Sequence, residues 1–209
     1  MTPLHFSVEG NHRDAVKLLI EAGASVEADA SGLTPLYFAV ISNRKEIVMD
    51  LIKHGADPNV GYLLHYSIMH NFTDISHILI NTEKCNINIQ EKKTNTTPLL
   101  LAALRGQETV VGALLIKGAD INSTDNLNMS ALHCAATQGH DDAVKVLLKY
   151  NAKLNVRADD GSTPLHLAAI LGHEKVLQLY LLLELILILL ISRIEQAWKW
   201  LLLTINIML

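Results

Sequence analysis

Ten histidines and two cysteines are the side chains of this sequence that are most suited to chemistry. Imidazole and thiolate groups at short, regular spacing bind zinc, and a cysteine beside a histidine can act as a nucleophile. Here the two cysteines, Cys85 and Cys134, lack zinc-ligand spacing. Three histidines are irregularly placed and have no carboxylate or cysteine partner at such spacing. The other seven recur at two fixed positions of a repeated segment, which favours a structural role: His5, His65, His133 and His166 at one position, and His12, His140 and His173 at the other.

Other features of the sequence exclude whole classes of function. It contains no glycine-rich phosphate loop, no nucleophile elbow and no paired acids of a hydrolase. The 17 basic and 21 acidic residues give a net charge of −4 without a basic run, so the chain lacks the electrostatic footprint of a nucleic-acid-binding protein. The sequence therefore predicts no catalytic site, no metal, no cofactor and no nucleic-acid partner.

The repeated segment is marked by a tetrapeptide that begins at Thr2 and has the form Thr-Pro-Leu-His. Its last three copies lie 33 residues apart. A unit of this length cannot bury its own apolar face, so it must stack on its neighbours. The later copies are Thr34 to Tyr37, Thr97 to Leu100, Ser130 to His133 and Thr163 to His166.

Each unit carries the signals of two short helices. The Thr or Ser can cap the first helix, and the Pro fits its first turn, where the missing N–H costs nothing. Paired alanines then allow close helix packing, and a glycine such as Gly139 ends the helix. A second helix has apolar residues at helical spacing and ends at a glycine such as Gly118, or at Asn151. Segments such as Ala119 to Asn122 lead through an extended turn to the next unit.

These motifs resemble the ankyrin repeat closely, because the Thr-Pro-Leu-His opening, the Ala-Ala pair, Gly139-His140 and the Gly118 to Asn122 ending recur in register. The resemblance implies an all-α ankyrin solenoid of helix-turn-helix units with extended β-turn fingers. It covers residues 1–179 as six units, in which the motif histidines hydrogen-bond within and between units. The third unit is irregular, since Tyr62 to His65 lacks Thr-Pro and Thr82 to Thr96 forms a long polar exit.

The resemblance also implies where a partner would bind. Ankyrin arrays resemble a cupped hand that holds proteins or peptides with its finger tips and the exposed side of its first helices. A face that mixes aliphatic and polar groups suits such a partner, whose binding energy comes from a few buried anchors. By position, the expected partner-binding residues are Ile41, Ser42, Leu104, Arg105, Thr124, Asn126, Leu127, Met129, Thr137, Gln138, Arg157, Asp159, Asp160, Ser162, Ile170 and Leu171.

Residues 180–209 form an apolar tail that departs from the repeat pattern. One interpretation is a membrane segment, because Val176 to Ser192 holds 13 Leu, Ile or Val residues between Lys175 and Arg193. At about −0.3 to −0.6 kcal/mol each, these outweigh about +3 kcal/mol for Glu184. However, a segment of roughly 17 residues is at the short limit for a helix that crosses a membrane. Its first residues are also needed for the second helix of the sixth unit.

The alternative interpretation is a frameshifted seventh repeat, with the shift near Tyr180. Permissible codons for Glu184 to Ile191, taken in another frame, restore a finger ending that contains Ala-Asn-Ile-Asn. Continuing in that frame places an Ala-Ala pair at positions 201 and 202, which is 33 residues after Ala168 and Ala169. The nucleotide sequence across Gln178 to Glu184 distinguishes the two interpretations.

The sequence thus predicts a non-catalytic module for protein–protein interaction. Two cysteines and the lack of a signal peptide in residues 1–30 favour the cytoplasm. Because Met1 directly precedes a Thr-Pro with no polar capping unit, and the tail breaks the pattern, we expect a fragment of a longer protein. The rival is a membrane-associated ankyrin protein, either tail-anchored or part of a channel or of a toxin similar to the arachnid latrotoxins.

Overall fold

The computed structural model describes residues 1–30 and 32–184, and within these ranges the chain is built of short helices in six pairs. We call each pair, with the loop that leads into it, a unit. A single 3-10 turn at Val60–Tyr62 precedes the third pair. The helices are α1 Pro3–Glu9, α2 Arg13–Glu21, α3 Pro35–Ile41, α4 Lys45–Lys53, α5 Leu63–Met69, α6 Thr73–Asn81, α7 Pro98–Leu104, α8 Glu108–Ile116, α9 Ala131–Gln138, α10 Asp141–Lys149, α11 Pro164–Leu171 and α12 over residues 174–184.

The first helix of a regular unit begins where the Thr-Pro motif predicts. The hydroxyl oxygens of Thr34 and Thr97 accept hydrogen bonds from backbone N–H groups three residues later, at 3.2 and 3.3 Å. Because the following proline lies in the first turn, the helix loses no hydrogen bond there. At the other end of α9, Gly139 takes a φ of 71°, a left-handed conformation that ends the helix. The predicted helix starts and stops are therefore confirmed.

Two layers of helices form the core. Each first helix packs against the first helix of the next unit, and the second helices form a parallel layer behind them. Paired alanines such as Ala102 and Ala103 are fully buried between α7 and α9, which lets the helix backbones approach closely. The second helices contribute branched side chains such as Val48, Val111 and Val144, which are also fully buried. The fold is all-α, as the sequence predicts.

A glycine at the end of a first helix is paired with a histidine of the following unit. A Cβ atom added to Gly106 or to Gly139 would lie 2.5 Å from Nδ1 of His140 or of His173, respectively. The first three units have asparagines there instead, with φ values of 54 to 59°. A positive φ at the end of a first helix therefore does not by itself require glycine. Glycine is required where the next unit places an imidazole against this position. The asparagines Asn11, Asn43 and Asn71 are followed at the histidine position by Arg44, Phe72 and Gln107.

The loops between units form the predicted fingers, except in the third unit. The loop that leads into the fifth unit is closed by an antiparallel bridge between Thr124 and Ser130. The loop that leads into the third unit forms no hairpin of this kind, because the chain passes from Asn59 through the 3-10 turn directly into α5. In that turn Gly61 and Tyr62 have φ values of 64° and 54°. The row of fingers is therefore interrupted after the second unit.

The last described helix, α12, is the second helix of the sixth unit and runs through residues 174–184. Val176 and Tyr180 are buried against the preceding units. Among the described residues, no helix combines the length and apolar character needed to cross a bilayer. The membrane segment and the frameshifted repeat proposed for residues 180–209 depend on residues 185–209, which lie outside the described part of the chain.

Candidate functional site

The finger that leads into the fifth unit is shaped by one carboxylate. Asp125 Oδ1 accepts hydrogen bonds from the backbone N–H groups of Leu127 and Met129, both at 2.9 Å. Asn128 completes the turn with a φ of 55°. Since the backbone is held from within, the tip is free to present side chains outward. Leu127 stands at this tip and is 62% exposed.

The finger that leads into the sixth unit is built in a similar way. Asp160 Oδ1 accepts hydrogen bonds from the Ser162 backbone N–H at 2.9 Å and from its hydroxyl at 2.6 Å. These bonds favour the charged carboxylate and hold the pKa of Asp160 below its usual range. The Ala158 N–H donates to the Ser162 carbonyl at 2.9 Å and closes the finger.

Hydrogen bonds join three consecutive fingers into one row. The Asn126 N–H donates to the Thr94 carbonyl of the preceding finger, and the Asp159 N–H donates to the Leu127 carbonyl, both at 3.0 Å. The Asn128 side-chain amide also donates to Asp159 Oδ1 at 2.5 Å. These contacts fix the spacing between fingers, so side chains on adjacent tips keep a defined distance.

A cavity of about 300 Å³ lies between the last two of these fingers and the first helices α9 and α11. Its walls are largely apolar, with polar groups at the rim. A concave, mainly apolar site with a few polar groups is the usual form of a ligand site. We call it the finger cavity, and its lining residues are Leu127, Met129, Thr137, Ala158, Asp159, Asp160, Ser162 and Leu167.

Six of the sixteen expected partner-binding residues meet at the finger cavity, and none of the sixteen is buried. The other ten lie elsewhere. The Arg157 guanidinium turns back to the Gly161 carbonyl at 3.3 Å, and Asn126 joins its finger to the preceding one. Outside the cavity, the remaining positions are Thr124 in a finger and Ile41, Ser42, Leu104, Arg105, Gln138, Ile170 and Leu171 at the ends of first helices.

Two cavity residues, Ala158 and Leu167, were missed by sequence reasoning. Leu167 directly follows the motif histidine of the sixth unit, so the repeat register would have identified it. Ala158 is a buried residue of a finger, and the sequence gives no sign that a small finger residue is enclosed. Its position depends on the hydrogen bonds between fingers.

A second missed feature is an aromatic strip on the first helices of units one to three. The residue after the fourth motif position is aromatic in these units, namely Phe6, Phe38 and Tyr66, whereas it is Leu101, Cys134 and Leu167 in the last three. The rings of Tyr66 and His70 are in contact, with centroids 4.2 Å apart and planes tilted by 32°. All three phenylalanines of the chain lie within residues 1–72, a bias that was visible in the sequence.

The motif histidines are framework residues, as the resemblance implies. The backbone N–H of Ser130 lies 3.1 Å from Nδ1 of His133, and Nε2 lies 3.2 Å from the Ser162 carbonyl. Since Nδ1 accepts from an N–H, Nε2 carries the proton and donates to the next unit. His5 makes the same contacts with Thr2 and Leu33. The imidazoles of His5, His65 and His133 therefore tie a first helix to the following finger.

Burial shifts the pKa values of the two thiols and of two framework histidines, His65 and His133. Burial raises the pKa of Cys134 to about 12 and that of Cys85 to about 11, so both thiols stay protonated and unreactive at neutral pH. Burial also lowers the pKa of His65 and of His133, which favours their neutral imidazoles. Within residues 1–30 and 32–184, no three His, Cys, Asp or Glu side chains are grouped as a metal site would require.

A second cavity, of about 540 Å³, lies on the opposite side between the second helices α4 and α6. An ion pair of 2.8 Å between Lys45 and Asp74 crosses it, and Met49 forms part of its wall. Both charged groups are well exposed, so solvent weakens their attraction. None of the expected partner-binding residues lines this cavity.

Comparison with known proteins identifies the same architecture. A family model described as ankyrin repeats (3 copies) matches residues 1–62, 61–125 and 117–185. The fold is also similar to the crystal structure of an ankyrin repeat domain from Acinetobacter baumannii AYE, with a TM-score of 0.78 and 25% sequence identity. That alignment covers 86% of this chain and 96% of the bacterial one.

Proposed function

The chain belongs to the ankyrin repeat family, and from this premise we propose that it is a non-catalytic module that binds a protein or peptide on its finger and first-helix surface. Ankyrin repeats generally serve as modules of protein–protein interaction, and their fold is typically a non-catalytic scaffold. The proposal for this chain is more specific, because it assigns the binding to one side of the array.

The observation that carries the proposal is the finger cavity between two adjoining fingers. Interfaces gain most of their energy from a few anchors that enter well-packed pockets. A cavity of about 300 Å³ with an exposed Leu127 at its edge offers such a pocket. Because hydrogen bonds between the fingers already fix their spacing, a partner would pay little entropy to order them.

Exposed apolar residues extend this surface beyond the cavity. Ile170, at the end of α11, is 77% exposed, and Leu171 beside it is also exposed. On the first helix of the fourth unit, Leu104 takes an equivalent position. Such residues, placed between polar groups, form the mixed surface that a protein partner can cover.

Site-specific photo-crosslinking tests the proposal. A photoreactive amino acid at Leu127 is expected to form an adduct with a discrete partner protein in cells, which mass spectrometry would identify. The matched control is Ile116 at the end of the second helix α8, which is 72% exposed but lies on the opposite layer. Adducts of equal yield from both positions, or from neither, would contradict the proposal.

Binding by the purified components completes the test. The identified partner should bind the chain in calorimetry, and Leu127→Asp should weaken this binding because it places a charge at the rim of the cavity. The same substitution at Ile116 should leave the affinity unchanged. Retained affinity of the Leu127→Asp variant would show that the partner uses another surface.

A further inference from the structure

We propose that the finger cavity accepts an apolar side chain of a peptide segment that carries a Lys or Arg next to this anchor. The inference rests on the proposed function and specifies its ligand.

The walls define the anchor. Met129, Ala158 and Leu167 supply apolar surface from two fingers and one helix. A volume of about 300 Å³ is at the lower end of the range for ligand sites. It therefore suits one aliphatic or aromatic side chain with adjoining main chain, rather than a large cofactor. Burial of such a side chain supplies the main part of the binding energy.

Charge at the rim defines the neighbour of that anchor. Asp159 and Asp160 line the cavity, and Asp125 supports the adjacent finger. Two basic side chains lie in the loop that leads into the sixth unit: Arg157, whose guanidinium is bonded to its own finger through Gly161, and Lys153, which does not line the cavity. No ion pair within the described residues involves the three carboxylates. The rim thus carries net negative charge, which favours a cationic ligand group and disfavours an anionic one.

The carboxylates keep acceptor capacity for a ligand. Asp160 uses Oδ1 for Ser162, and Asp159 uses Oδ1 for the side chain of Asn128. In both residues the second carboxylate oxygen has no hydrogen-bond donor among the described contacts. A carboxylate accepts several hydrogen bonds, so a guanidinium or ammonium can bind there without breaking the turns.

The preceding finger has the opposite charge. It contains Lys92 and Lys93 beside Glu91, so a basic ligand residue gains nothing from it. The charge pattern therefore restricts the cationic residue of the peptide to the last two fingers. This asymmetry also fixes the position of the peptide on the row of fingers.

Selection from a displayed library of short random peptides, with the full chain as bait, tests the inference. Enriched sequences should contain one large apolar residue with Lys or Arg beside it. A synthetic peptide of this type should lose about tenfold in affinity for the variant Asp159→Asn with Asp160→Asn, because two exposed charge contacts are removed. It should also bind more weakly as salt is raised.

Matched variants separate a local effect from a general one. Asp57→Asn with Asp120→Asn removes the same charge from exposed turn aspartates elsewhere and should leave the affinity unchanged. Leu167→Trp fills the finger cavity and should abolish binding, whereas Met49→Trp adds the same ring to the cavity of the opposite layer and should not. Methyl NMR of the unmodified chain, with peptide-induced shifts expected at Ala158 and Leu167, gives the same information without substitution.

The outcomes distinguish this inference from the proposed function. Enriched peptides without a basic residue, no enrichment at all, or unchanged methyl shifts at Ala158 and Leu167 would overturn the inference. If crosslinks from Leu127 persisted in that case, the surface would still bind a protein and only its ligand would be wrongly assigned. If neither crosslinks from Leu127 nor peptide binding were observed, the proposed function would be overturned as well.

Discussion

The third and fifth units contain the same motif histidine in two different surroundings. In the fifth unit, the hydroxyl of Ser130 and its N–H both lie within hydrogen-bond distance of Nδ1 of His133, at 2.8 and 3.1 Å. In the third unit, Tyr62 replaces the capping residue in a left-handed conformation, and Nδ1 of His65 has no partner. The remaining hydrogen bond of His65 joins Nε2 to the Thr96 carbonyl at 2.8 Å.

The two units also differ in their fingers. The fifth unit is entered through a closed finger that bonds to both neighbours, whereas the third is entered through a 3-10 turn. Both differences arise from the same change. The loop that leads into the third unit is shorter, and its shortening removes both the hairpin and the capping Thr or Ser. The comparison shows that the motif stabilises the junction between units as much as the helix that it begins. Four experiments test this conclusion.

Removal of the motif histidine should cost more in the fifth unit. His133→Ala is expected to lower the free energy of unfolding by about 3 kcal/mol, since it leaves a cavity and unpaired backbone groups. His65→Ala leaves a similar cavity but breaks fewer hydrogen bonds, so its cost should be about 1 kcal/mol smaller. Urea unfolding measures both values. Equal losses would show that the contacts with Ser130 add no stability.

The glycine at the end of α9 should be intolerant of asparagine. Gly139→Asn is expected to destabilise the chain by about 2 kcal/mol, because its Cβ collides with the imidazole of His173. The collision cannot be relieved freely, since Nε2 of His173 is hydrogen-bonded to the Thr137 carbonyl at 2.9 Å. Thermal and urea unfolding of the variant provide the measurement.

The third unit provides the control for this substitution. There Asn71 ends the first helix, and the next unit supplies Gln107, which donates to the Ile68 carbonyl at 2.7 Å. Adding His173→Gln to Gly139→Asn should therefore recover about 1 kcal/mol. A double variant that is no more stable than Gly139→Asn would assign the whole cost to backbone strain.

Acidification should destabilise the chain through both histidines. Burial lowers the folded-state pKa of His65 and of His133, so the unfolded chain binds more protons below about pH 6.5. The contribution of these neutral histidines to the free energy of unfolding is then fully present above about pH 6.5, and it is lost as the pH falls toward the folded-state pKa. Each of His65→Gln and His133→Gln should flatten the pH dependence of the free energy of unfolding. An unchanged slope in both variants would contradict this linkage.

Hydrogen exchange should show the smallest difference, between joined and isolated fingers. The amides of Asn126 and Asp159 donate to carbonyls of neighbouring fingers and should exchange slowly. The amide of Gly32 donates only to Asp29 within its own turn and should exchange faster. Exchange at equal rates, measured by NMR, would mean that the bonds between fingers open independently of the array.

Much of this fold follows from local signals in the sequence. The Thr-Pro pairs and the glycines mark helix ends because capping and positive φ are properties of single residues. The spacing of 28 residues between Leu36 and Leu64 indicated an irregular third unit. It did not indicate that Tyr62 would adopt a left-handed conformation, since that depends on how the shortened chain reaches α5.

The candidate site was less predictable. Exposed finger and helix-end positions could be inferred from the register, and six of them line the finger cavity. The enclosure of Ala158 and the bonding of Arg157 to its own finger could not be inferred from the sequence. Both depend on which chain segments are neighbours in space. Sequence spacing locates residues along a unit, whereas the cavity forms between units.

The pairing of helix-end glycine with histidine limits how this array can change its length by recombination. Loss of the fourth unit would join the third unit to the fifth and set Asn71 against His140 instead of Gln107. Loss of the fifth unit would keep a compatible pair, since Gly106 would then meet His173. Units that are equivalent in fold are therefore not interchangeable, and crossovers in the last half of the array are tolerated where those at its centre are not.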